Sequence, residues 1–196
     1  MDDMAFDDPR SAPDEALLVL YANGDPAAAR QLTERLVPRV FGHAFRLLGD
    51  RAEAEDIAQE AMLRLWRVAP DWRQGEAKVT TWLYRVTANL CTDRLRRRRG
   101  TADIDAVPEP ADETPGVASR MQEASRNAAL NAALAELPDR QRQAVVLRHI
   151  DGLGNPEIAE IMKISTEAVE SLTARGKRAL AALLAGRREE LGYYDD

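Results

Sequence analysis

The chain has 196 residues, 45% of them hydrophobic, 31% charged and only 5% aromatic, with a formal net charge of −6. This length suits one ordinary domain or two small ones, and an apolar set dominated by Ala and Leu points to an all-α fold. The acidic excess excludes indiscriminate nucleic-acid binding through net charge but allows a local basic patch.

Cys91 is the only cysteine, and His43 and His149 lie far apart in sequence, so neither an internal disulfide nor a Cys/His zinc site is expected. The start, "MDDMAFDDPR", is acidic and has no positive segment followed by an apolar core. The run "ALLVLYA" at 16–22 is too short to span a bilayer. A cytoplasmic protein with no membrane insertion of its own is therefore expected. Without a Gly-rich phosphate loop, a metal cluster or a nucleophile beside a base, no catalytic residue, metal or cofactor is expected, and the chain reads as no enzyme.

Residues 1–12 read as an N-terminal tail, and 13–100 as a series of helices. Asp25-Pro26 starts one of them, with Asp as cap and Pro at the first helical position. Its apolar stripe of Leu32, Leu36, Val40, Phe41, Phe45 and Leu48 stops at Gly49. Asp50 and Glu53 form a D-x-x-E variant of the capping box, opening a helix that runs to Pro70. Asp56, Gln59 and Glu60 project polar groups from it, followed by Leu63, Leu65 and Trp66. That mixture resembles a protein-docking face, although taken alone it is better read as an amphipathic core helix.

A further helix is expected over 79–99. At 100° per residue, Val79, Leu83, Val86 and Leu90 share a face, while Trp82, Arg85, Asn89, Asp93 and Arg96 form an adjacent one. Aromatic, amide and cationic groups in a row suit unstacked nucleic acid, although a core-capping Trp beside solvated arginines has the same pattern. The helix ends in four consecutive arginines. Residues 101–117 hold three prolines and five acidic residues within "GTADIDAVPEPADETPG" and read as a flexible acidic linker.

Helical patterning returns over 118–186. Asn155-Pro156 starts a short helix with Ile158, Ala159 and Met162 on one face, and Ser165 caps the next, which buries Val169, Leu172 and Leu180. Two helices about three residues apart, the second ending basic, fit a DNA-binding helix-turn-helix, or an ordinary αα-hairpin with a charged face. Thr166, Glu167, Glu170, Ser171 and Ala174 are placed toward bases, and Arg175, Lys177 and Arg178 toward phosphates or bases. Two positions strain the pattern. Lys163 stands in the turn where glycine is usual, and Gly176 inside the helix costs about 1 kcal/mol relative to Ala. Residues 187–196 read as a C-terminal tail.

The blocks "AEDIAQEAMLRLWR" (54–67), "TTWLYRVTANLCTDRLRRRR" (80–99) and "LAELPDRQRQAVVLRHIDGLGNPEIAEIMKISTEAVESL" (134–172), in this order, closely resemble the extracytoplasmic-function (ECF) sigma factors. These are sigma-70 relatives with regions two and four alone. The resemblance implies two small helical domains, a region 2 bundle over 13–100 and a region 4 helix-turn-helix over 118–186. It implies that Asp56, Gln59, Glu60, Leu63 and Trp66 dock on core RNA polymerase. Trp82, Arg85, Asn89 and Asp93 would open and read the −10 element, with 71–79 capturing a flipped base and Arg94, Arg96, Arg97, Arg98 and Arg99 holding phosphates. The helix from Ser165 to Arg178 would read the −35 element of promoter DNA. Glu170 departs from the basic residue usual there; it would repel phosphate or accept from cytosine N4. The linker would occupy the RNA exit path, and an anti-sigma factor is the expected regulator. The alternative is a sigma-like decoy that sequesters an anti-sigma factor without reading DNA.

Overall fold

The computed structural model describes residues 12–73, 75, 77–100 and 118–185, with side chains omitted at 100 and 118–124. Every regular element among them is helical. The expected linker and both tails lie outside the described residues, apart from Ala12.

The first unit packs α1 (Asp14–Ala22), α2 (Pro26–Leu48), α3 (Arg51–Val68) and α4 (Val79–Gly100). Asp25 caps α2 by accepting from the Ala27 N–H at 2.8 Å, with Pro26 at the first helical position. The helix stops at Gly49, where φ is +69° and the N–H returns to the Phe45 carbonyl. Asp50 caps α3 through the Glu53 N–H at 2.9 Å. The reciprocal half of the expected capping box is replaced: the Glu53 carboxylate accepts from Arg98 Nε at 3.2 Å instead. The start of α4 is held from a distance, because the Val79 N–H donates to Glu15 of α1 at 2.9 Å. Leu17, Leu18, Leu32, Leu36, Leu65 and Leu83 are the large fully shielded members of this core.

The second unit comprises α5 (Ala118–Ala135), α6 (Asp139–Val145), α7 (Asn155–Met162) and α8 (Thr166–Ala185). After α6 the helix widens over Val146–Ile150, so that the Asp151 N–H reaches back five residues to the Val146 carbonyl. Between α7 and α8, Lys163 adopts φ +53°, as its glycine-like position requires. The Ile164 N–H then returns to the Ala159 carbonyl, closing the turn. Ser165 caps α8 by accepting from the Ala168 N–H at 3.3 Å.

Gly176 has a reason that helix propensity misses. It is buried where α8 crosses α6, and a Cβ there would lie 2.6 Å from Val145 Cγ2 and 3.1 Å from the Gln141 carbonyl oxygen. The glycine permits a close helix crossing rather than simply weakening α8.

The two units also share apolar cores. Leu134, Leu137, Val145 and Val146 pack with Ala44, Leu47, Leu48, Ile57 and Cys91. Tyr84 and Ala88 of α4 join Leu147, Ile158, Ile161, Met162 and Val169. Tyr84, Ala88, Cys91 and Leu95, spaced by four, three and four, form the α4 side of this joint surface, a third face beyond the two expected.

Gly176→Ala is expected to lower stability by about 1–3 kcal/mol through overpacking, despite Ala's better helix propensity. Lys163→Gly is expected to raise it by up to about 1 kcal/mol by relieving the left-handed strain. Urea unfolding followed by circular dichroism measures both.

Candidate nucleic-acid interface

Along α4, Trp82 is half-buried and meets Trp72 edge-on, with centroids 6.1 Å apart. This fixes the indole between the bundle core and the surface. Arg85 is one-third exposed and its guanidinium lies 3.3 Å from Glu160 of α7. Asn89 and Asp93 are exposed one and two turns further on. The structure therefore brings the predicted row together on one face, with Trp82 anchored and Arg85 already paired.

The arginine cluster divides by partner. Arg98 is built into the fold: its guanidinium donates to the Leu48 carbonyl at 3.1 Å, Asp50 at 3.3 Å and Glu53. It satisfies the C-terminal end of α2 and offsets the acidic start of α3 in one contact. Arg94 lies 3.5 Å from Glu53, and Arg99 pairs with Asp139 of α6 at 2.7 Å. Arg96 stands well out, 75% exposed, with only a loose approach of 3.9 Å to Asp93. Arg97 is exposed and lines a groove of about 540 Å³ between α3 and α4. Asp56, Gln59, Glu60 and Leu63 line the other wall, with Leu63 42% exposed. Trp66 does not join them: its ring packs on Tyr21 of α1 at 4.5 Å and caps the core.

Cys91 is buried in α4, and loss of solvation pushes its thiol up to about 12, so it is a packed small residue rather than a nucleophile.

On α8, Ser165, Glu167, Glu170, Ser171, Ala174, Arg175, Lys177 and Arg178 are exposed and Thr166 partly so. Val169 holds the opposite face in the core. Glu170 accepts from Asn155 Nδ2 at 3.3 Å, which ties the starts of the two helices together. The hydroxyl of Ser165 holds the Glu167 carboxyl below its usual range. Glu157 supplies the cap that Gly154 lacks, accepting from the Gly154 N–H at 2.9 Å and from Lys78 Nζ at 2.9 Å. These two donors hold its carboxyl below the ordinary carboxylate range.

Sequence reasoning passes over His43, Tyr84, Arg142 and Asp151, all of which lie between the two units. The signal for His43 is present: it stands on the apolar stripe of α2, three residues after Val40.

Glu157 works in one direction with pH. A depressed folded-state value contributes stability above the unfolded carboxylate range and loses it as pH falls through the depressed one. Glu157→Gln should flatten the acid side of the stability curve, read as urea midpoints between about pH 7 and about pH 3. Arg98→Ala should cost about 1 kcal/mol, whereas Arg96→Ala should stay within about 0.5 kcal/mol in the same unfolding assay.

Comparison with known proteins follows the same division. Residues 32–101 match the family model of sigma-70 region 2, and residues 127–180 that of sigma-70 region 4. The chain is 35% identical over 179 residues to the ECF RNA polymerase sigma factor SigE of Mycolicibacterium smegmatis, covering 88% of this chain and 68% of that protein. It is 31% identical to the ECF RNA polymerase sigma factor SigW of Bacillus subtilis, covering 80% and 89% respectively. Among solved structures, CnrH in complex with the cytosolic domain of CnrY aligns with a TM-score of 0.64 and 26% identity, over 88% of this chain and 97% of that one. The chain belongs to the extracytoplasmic-function sigma factors of the sigma-70 family.

Proposed function

We propose that the protein is a promoter-specificity subunit: it binds core RNA polymerase, reads two promoter elements and opens one of them. One observation carries this reading. A single chain presents two separate polar, cation-bearing helix faces, on α4 and α8, and beside the first a groove whose α3 wall carries Asp56, Gln59, Glu60 and Leu63 with Arg64, and whose α4 wall carries Asp93, Arg94 and Arg97. The groove, with Asp56, Gln59, Glu60 and Leu63, is the polymerase-docking surface, and Trp66 stands outside its lining, packed on Tyr21. On α4, Trp82, Arg85, Asn89 and Asp93 face the melting −10 element, and Arg94, Arg96, Arg97 and Arg99 follow its phosphates, with Arg98 holding the helix in place. On α8, Thr166, Glu167, Glu170, Ser171 and Ala174 face the −35 bases, Ser165 fixes the helix start, and Arg175, Lys177 and Arg178 approach phosphates.

The protein's acidic balance keeps non-specific binding weak while the local cations steer it along the promoter. The unit boundaries are 13–100 and 118–186, with the linker 101–117 between them. An anti-sigma factor is the proposed regulator: the sigma factor RpoE from Bartonella quintana, whose fold this chain shares, is solved in complex with the anti-sigma factor NepR. A sigma-like decoy has no support among the relatives named above. The protein acts in the cytoplasm, as a DNA-binding regulator and not as an enzyme; no helix among the described residues is long and apolar enough to cross a membrane.

Core polymerase plus this protein should yield transcripts from a promoter library of its own genome, and their upstream sequences should share two spaced elements. Transcripts without shared elements, or none while the polymerase is active, contradict the reading. Arg85→Ala with Asn89→Ala should cut those transcripts at least tenfold with polymerase binding kept. Arg175→Ala and Arg178→Ala should each lower the salt slope of promoter binding by about 0.9.

A further inference from the structure

We infer that the chain carries a binding site for a small organic phosphate, in a hollow between α2, the start of α4 and the turn before α7. The site shares no residue with the α3–α4 groove, the polar row of α4 or the outer face of α8. It goes beyond the proposed function and does not rest on it.

The hollow has a volume of about 540 Å³, within the range of about 300–1,000 Å³ usual for small-molecule sites. Arg39 and Arg46 of α2 supply its cations. They stand two helical turns apart and so share a face. Neither guanidinium has an ion-pair or hydrogen-bond partner among the described residues, unlike Arg35, Arg51, Arg85 and Arg98, each of which meets a carboxylate. Both charges act on the hydroxyl of Tyr84, which lines the same hollow, so the two arms converge there.

Gly42 makes room for this convergence. Arg46 lies back along α2, with Nη1 2.9 Å from where a Cβ at position 42 would stand. The side chain is thereby laid toward Arg39 and is only partly exposed. A glycine inside a helix costs about 1 kcal/mol relative to Ala, and a proline about 3 kcal/mol or more. α2 accepts both at this place, Gly42 beneath Arg46 and Pro38 in the wall of the hollow.

The donors specify the head group. Two guanidiniums with the hydroxyls of Thr80 and Tyr84 outnumber the two oxygens of a carboxylate, whereas a phosphate monoester offers three terminal oxygens and a charge of about −1.5 to −2. Burial pushes the Tyr84 hydroxyl up to about 12, so it stays protonated and can donate. Thr80 belongs to the first turn of α4, at the positive end of the helix dipole. Asp151, the carboxylate in the lining, is turned to His43, whose Nδ1 lies 2.7 Å from its Oδ2. Pro38, Ile150 and Leu153 give the hollow an apolar wall, which calls for an organic body behind the phosphate.

Titration of the isotope-labelled full chain with phenyl phosphate, followed by amide chemical shifts, tests the site. Inorganic phosphate lacks the organic body, and benzoate replaces the head by a carboxylate. Phenyl phosphate should saturate, move the amides of Arg39, Thr80 and Leu153, and bind at least tenfold more tightly than either. Arg39→Ala and Arg46→Ala should each weaken it at least tenfold. Exposed Arg30, nine residues before Arg39 and on the opposite side of α2, is the control: Arg30→Ala removes the same charge and should leave affinity unchanged. Gly42→Ala should weaken binding at least threefold without a change of charge and with thermal stability kept or raised, because the added Cβ meets only the end of the Arg46 side chain. The absence of saturable shifts at the hollow, or equal losses from Arg30→Ala and Arg39→Ala, would overturn the site. Equal affinity for inorganic phosphate would overturn the organic body, and equal or tighter binding of benzoate the phosphate head.

Discussion

One helix has to satisfy three environments at once. At 100° per residue, α4 has room for a core face, an adjacent polar face and a third face on the side away from both. Val79 and Leu83 fill the bundle, Trp82, Arg85 and Asn89 look outward, and Tyr84, Ala88 and Cys91 are covered through the second unit. The remaining arrangement follows from fixing this helix. Glu15 holds its first N–H, and Arg98 ties its far end to the junction of α2 and α3. The polar row can therefore project from a rigid support, as precise recognition requires.

Charge is distributed with the same economy. Several cations of α4 have a carboxylate of the chain itself close by, in the bundle for Arg94 and Arg98 and across the unit boundary for Arg85 and Arg99. A protein of negative net charge can in this way carry an arginine cluster without attracting every polyanion. Pairs at the rim are exposed and weak, so a polyphosphate can compete for them; the contact of Arg98 is shared among a carbonyl and two carboxylates and stays with the fold.

Much of this was legible in the residues. Asp25-Pro26, Gly49, Asp50 and Ser165 announce helix ends through local chemistry, and they stand where the caps form. The all-α class follows from composition and periodicity, the spacing of the last two helices fits a helix-turn-helix or an αα-hairpin with the family resemblance favouring the first, and Lys163 takes the left-handed backbone its position demands. What was not legible depends on partners distant in sequence. Gly176 reads as a helix defect in the sequence, whereas in the fold Val145 and Gln141 lie against it. Trp66, which the pattern of α3 offered to a docking face, turns to Tyr21. His43 and Asp151 carry no sequence signal for each other, because only tertiary packing brings them within 2.7 Å.

The central claim is that α4 and α8 contact two separate stretches of one promoter. Asn89→Cys and Ser171→Cys offer exposed attachment points for a DNA-cleaving reagent, while buried Cys91, its thiol pushed up to about 12, stays unmodified. In the complex with core polymerase and promoter DNA, the account predicts two distinct cleavage centres, the one from position 89 nearer the transcription start. Coincident centres, or cleavage from position 171 alone in a transcribing complex, would contradict it.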